Sequence, residues 1–153
     1  MTYTRRQSIT MLASGSMLLM SSGVAQADTT PPVYAENGIA IDGTDPVAYF
    51  TQSAPVAGSA SITFDWNGAT WRFISEDNRN AFAADPEAYA PQYGGYCAYA
   101  VSKNYTAATV PEAWKIVDGK LYLNYSLRVK KTWERDIPGR IASGDANWPS
   151  VLD

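Results

Sequence analysis

A small single α+β domain, with antiparallel sheet supplied by two β-hairpins and with short helices around them, is the fold class the sequence predicts. Two observations carry it. The dipeptides Asn67-Gly68 and Asp118-Gly119 each sit between runs of alternating apolar residues, and a two-residue turn of positive φ is what such pairs favour. The helical stretches lie between and after the hairpins rather than alternating with single strands, which argues against a parallel α/β sheet.

The chain opens with Arg5 and Arg6, an apolar run from Ile9 to Val24 diluted by Ser and Gly, and Ala25-Gln26-Ala27. This is the order of a cleavable export signal, residues 1–27, with cleavage before Asp28. A membrane span needs about 20 predominantly apolar residues, and this run is too diluted. Thr4 to Ile9, with its paired arginines, resembles a twin-arginine signal. The expected location is periplasmic or otherwise exported, with no membrane insertion after cleavage. Residues 28–37, with Pro31-Pro32, read as a flexible lead-in to a domain over 38–153.

Asp45 is placed to cap a short helix that has Pro46 at its first position. Residues 55–59 are loop. Ile62 to Trp66 and Thr70 to Ile74 form the first hairpin about Asn67-Gly68. A helix is expected from Glu76 to Ala84, capped by Ser75 and stopped by Asp85-Pro86, with a further turn over Pro86 to Tyr89. Gly94-Gly95 sets a bend within an aromatic run, and a short helix follows Cys97. Trp114 to Val117 and Lys120 to Asn124 form the second hairpin. Val129, Trp133, Ile137 and Ile141 recur at helical spacing, with an interruption expected at Pro138-Gly139.

Residue usage narrows the chemistry. The chain has 153 residues, no His, four Met that all precede residue 28, and one Cys, Cys97. Without imidazole, Ser-His-Asp and Cys-His catalysis are excluded. One Cys allows no intramolecular disulfide and no Cys-x-x-Cys couple. Loss of the signal leaves ten basic residues against fifteen acidic ones, a net charge of −5. That balance argues against nucleic acid, which selects basic surfaces. A zinc or copper site normally takes three or four ligands, so a monomeric site of that kind is not expected. Cys97 is the one soft metal-ligand candidate. Asp42 and Asp45 could add carboxylates, or two chains could pool thiols in a homodimer; the plain alternative for both Asp is turn and cap chemistry.

Several segments together resemble a YHS domain, and the exported YHS domain-containing (seleno)protein branch in particular. They are Asp45 to Phe50, Asn67 to Phe73, Asn78 to Phe82 with Asp85 to Tyr89, Pro91 to Ala98, Asp118 to Asn124, and Asp145 to Pro149. The resemblance covers roughly residues 38–150 and implies a small metal-associated module. It places the family's Cys ligands at positions that here hold Ala48, Ile74 and Asn78, and the His of the family name is absent.

The ligand-binding candidates are Tyr93, Gly94, Gly95, Tyr96, Cys97, Tyr99 and Asp45. Cys97, at a helix N-terminus, is either a thiol of lowered pKa or a buried small hydrophobe. Tyr93, Tyr96, Tyr99 and Tyr105, with Trp114, either line a pocket or fill the core. The Tyr93–Ala98 segment is expected to floor a cleft closed on one side by Asp42–Phe50, with unpaired helix N–H groups turned into it. The function expected is a non-catalytic binding module for a small ligand or metal, and the expected partner is a small ligand or a protein. The alternatives are a thiol redox protein using Cys97 and a structural or interaction domain that has lost the family's metal site.

N-terminal sequencing of exported protein is expected to start at or near Asp28; a start at Met1 or Thr2 would refute cleavage. Replacing Arg5 and Arg6 by Lys is expected to block export, whereas unchanged export would assign the general secretory route.

Overall fold

The computed structural model describes residues 29–153; the expected export signal lies outside the described residues. The elements are β1 (Ala35–Glu36), β2 (Ile39–Ala40), α1 (Pro46–Thr51), β3 (Ser59–Trp66), β4 (Ala69–Phe73), α2 (Glu76–Ala84), α3 (Pro86–Tyr89), α4 (Ala98–Ser102), β5 (Trp114–Val117), β6 (Lys120–Leu123), α5 (Leu127–Trp133) and α6 (Ile137–Asn147). The α+β class and both predicted hairpins are present. No helix among the described residues is long and apolar enough to cross a membrane.

The hairpins form for the reason their turns suggest. Asn67 and Gly68 have φ of 51° and 81°, and Asp118 and Gly119 have 51° and 75°. Two positive values in succession turn a strand back with the right twist. A third such pair, Asn37 at 51° and Gly38 at 79°, joins β1 to β2. β2 then lies parallel to β4, so the main sheet runs β1-β2-β4-β3, while β5 and β6 form a separate two-stranded sheet.

This third hairpin corrects the reading of residues 28–37 as flexible. Val33 and Tyr34 are buried. The Tyr34 N–H donates to the Gly94 carbonyl at 2.9 Å, and the Thr30 N–H donates to the Leu152 carbonyl at 3.0 Å. The lead-in is therefore packed onto the domain from Thr30 onward.

A second correction concerns Pro138. The apolar stripe breaks at residues 134–136, and Pro138 stands in the first turn of α6. Its missing N–H costs nothing there. The Asp136 carboxylate caps the new helix by accepting from the Gly139 N–H at 3.1 Å.

The core holds two groups of rings. Phe82 of α2 packs against Phe64, Trp66, Trp71 and Phe73 of the β3–β4 hairpin, with centroids 5.1–6.2 Å apart. Tyr93 meets Tyr122 at 5.9 Å and Trp148 at 6.0 Å, and Tyr122 meets Trp133 at 5.3 Å. Between α1, β4 and α2 sits the fully buried Asp45. Its Oδ1 accepts from the Val47 and Ala48 N–H groups at 2.8 and 3.3 Å. Its Oδ2 accepts from the Ile74 N–H at 2.9 Å and from Asn78 Nδ2 at 2.8 Å.

Asp45→Ala leaves these four donors without their acceptor, two of them buried and two partly buried, and removes the α1 cap, so a loss of about 3 kcal/mol is expected in urea unfolding. A change below about 0.5 kcal/mol, the range of ordinary surface substitutions, would show that the network is replaceable.

Candidate functional site

The Gly-Gly bend is real, and its geometry differs from a simple turn into an open cleft. Tyr93, Gly94 and Gly95 all have positive φ, at 59°, 63° and 86°. A Cβ on Gly94 would collide with the Pro32 carbonyl. The N-terminal segment thus lies directly on the bend at Gly94. The bend's side chains turn inward. Tyr93 is buried, and its hydroxyl donates to Asp145 Oδ1 at 2.9 Å. Tyr96 is buried as well, and its hydroxyl donates to the Pro31 carbonyl at 2.8 Å. The Gly95 carbonyl accepts from the buried Thr109 hydroxyl at 2.8 Å. Asp42–Phe50 walls none of the open space beside Tyr93 and Gly94; that space is bounded by Pro32, Trp66, Asn67, Lys120 and Trp148.

Cys97 begins α4, as expected, but it is not the exposed thiol that a reactive site needs. It is 1 % exposed. Burial pushes its pKa up, against the N–H groups of Ala100, Tyr125 and Tyr99, which pull the other way. The expected lowering is therefore reversed: a five-residue helix start does not outweigh desolvation. Nor are the donors at the start of α4 left free. The Cys97 N–H donates to the Ala107 carbonyl at 3.0 Å, and the Tyr99 N–H donates to Asn124 Oδ1 at 3.1 Å. Asn124 is a fully buried residue that the sequence reading passed over. It also accepts from Cys97 Sγ at 3.5 Å, while Sγ accepts from the Tyr125 N–H at 3.3 Å.

On its outer side Cys97 floors a half-open pocket of about 230 Å³, walled by Tyr99, Tyr105, Ala107, Tyr125 and Val129. These residues come from α4, the loop after it, the end of the second hairpin and α5. Tyr99 is held in place by the Arg140 guanidinium, 4.6 Å from its ring centre. Tyr105 and Tyr125 are 50 % and 56 % exposed, and the neighbouring Leu127 is 56 % exposed. Of the sequence candidates, the pocket brings together Cys97, Tyr99 and Tyr105. It leaves Tyr93 and Tyr96 in the core, and Trp114 packs on the buried Tyr49 at 5.4 Å.

Asp45 is not at this pocket, and its oxygens are engaged as described above. The three positions that the YHS resemblance assigns to Cys ligands, Ala48, Ile74 and Asn78, all contribute donors to Asp45. Among the described residues, no group of three or more His, Cys, Asp or Glu side chains is arranged to hold a metal ion. Asp42 lies elsewhere, accepting from the Tyr34 hydroxyl at 3.3 Å, and burial raises its carboxyl pKa.

No protein-family profile, curated protein or solved structure matches the chain.

The Cys97 thiol has a pH signature. Its folded-state pKa is raised above the unfolded value, so the stability that the neutral thiol contributes is fully present below the unfolded pKa, near 9. It is lost as pH rises through the folded value. Above about pH 9, the urea midpoint of the wild type should fall more steeply with pH than that of Cys97→Ala. Equal slopes would mean that the thiol is not desolvated. The buried tyrosines are common to both proteins and cancel.

Proposed function

We propose that the protein is an exported, non-catalytic YHS-like binding module that holds a small apolar ligand over Cys97. The observation that carries this reading is the preformed pocket of about 230 Å³ with three tyrosines and Val129 around a buried thiol. An apolar wall with a few polar tips is the usual chemistry of a small-molecule site. The phenol groups of Tyr105 and Tyr125, half in water, can orient a ligand that carries one polar group. A neutral Cys97 favours a packing role over thiolate chemistry, which sets the redox reading behind the binding one.

Among the described residues, no group of three or more His, Cys, Asp or Glu side chains supports the metal function that the family resemblance implies. At the positions the resemblance assigns to it, Asp45 accepts from the Ala48 and Ile74 N–H groups and from the Asn78 side-chain amide. A second reading rests on Tyr105 and Tyr125, whose exposure around one pocket also suits an apolar side chain from a protein partner.

Backbone amide NMR with added indole tests the first reading. Shifts at Cys97, Tyr99 and Tyr125 are expected to saturate, and Ala107→Leu, which fills the pocket without touching the core rings, should abolish them. Shifts that persist in Ala107→Leu, or that scatter without saturation, would refute the pocket as a ligand site.

A further inference from the structure

A groove of about 500 Å³, sharing no lining residue with the Cys97 pocket, opens where the tip of the first hairpin meets α3, the start of β6 and Trp148. Two indoles bound it. Trp66 lies 5.9 Å from Trp71 and 5.8 Å from Phe82. Trp148 lies 6.0 Å from Tyr93 and 6.4 Å from Tyr96. All four backing rings are buried, whereas Trp66 and Trp148 are only partly covered. Each indole is therefore a platform fixed from behind, and a ligand that stacks on it need not freeze a mobile side chain.

The same groove is lined by a carboxylate, Glu87, an ammonium, Lys120, and two amides, Asn67 and Gln92. Glu87, Lys120 and Asn67 are exposed. The ion pairs among the described residues involve neither Glu87 nor Lys120. Donors and acceptors are thus mixed, and the two charges cancel. A polyanion would meet Glu87 within an acidic protein. A wholly apolar ligand would strip water from both charges without replacing it. A pyranose ring matches both features, with a flat C–H face for an indole and an edge of hydroxyls that donate and accept.

From this we propose that the groove binds a short saccharide chain, with sugar faces on Trp66 and Trp148 and hydroxyls bonded to Glu87, Lys120, Asn67 and Gln92. The site is independent of the ligand read for the Cys97 pocket.

The test is calorimetric titration of the mature protein with chitotriose, cellotriose and maltotriose, with hexaproline as the peptide control. At least one trisaccharide should bind with a Kd at or below about 1 mM. The double variant Glu87→Gln/Gln92→Ala, both at the groove's rim, should weaken it about tenfold or more. Ala107→Leu, in the other pocket, should leave it unchanged. The proposal is overturned if none of the three sugars binds, if the rim variant binds as well as wild type, if Ala107→Leu removes binding, or if hexaproline binds and the sugars do not.

Discussion

Asp45 is an acidic side chain with no exposed surface, and the elements around it are arranged to hydrogen-bond it. Its two oxygens collect donors from the first turn of α1, from the end of β4 and from the start of α2. A carboxylate in so dry a place is tolerable only when it is fully hydrogen-bonded. That requirement fixes where α1 sits relative to the first hairpin and to α2, which carries Phe82 into the larger ring cluster. The neighbouring turn is bent to match: Ile41, Asp42 and Gly43 all have positive φ, which is costly for the β-branched Ile41. The position of the aromatic core thus follows from one polar contact.

Much of the fold was legible because its signals are local. The two predicted turns, the Ser75 and Asp45 caps and the short helix after Cys97 are each set by two to four neighbouring residues. The Asn37-Gly38 turn carries the same local signal, but its flanking strands are only two residues long. Such strands show no alternation, and the prolines ahead of them suggested a loose tail. What holds that tail is remote: the Gly94 bend and the C-terminal turn, some sixty and more than a hundred residues away in sequence. Pro138 was misplaced for a related reason. A proline within an apolar stripe marks a boundary, yet it does not say whether it ends one helix or begins the next.

The site was less legible. Tyr93, Tyr96, Cys97 and Tyr99 are close in sequence, and the positive-φ bend sends them to different destinations. Only Cys97 and Tyr99 reach the small pocket, where Tyr105 joins them and the remaining walls are supplied by Ala107, Tyr125 and Val129. Those three carry no motif. Asn124 offered a usable signal, a polar residue directly after an apolar strand and before a turn, where a buried amide caps the backbone of α4. It bonds the thiol and the start of the helix together, so one buried side chain engages both the sulfur and the Tyr99 N–H at the helix start.

The ends of the described chain meet: Thr30 bonds to Leu152, and Tyr96 bonds to Pro31 while packing on Trp148. Both ends of the described chain therefore lie close to the Trp148 groove. A short linker could join the two ends into a ring, and the chain could be reopened at Asp118-Gly119. There both turn residues are exposed and a Cβ on Gly119 would meet nothing.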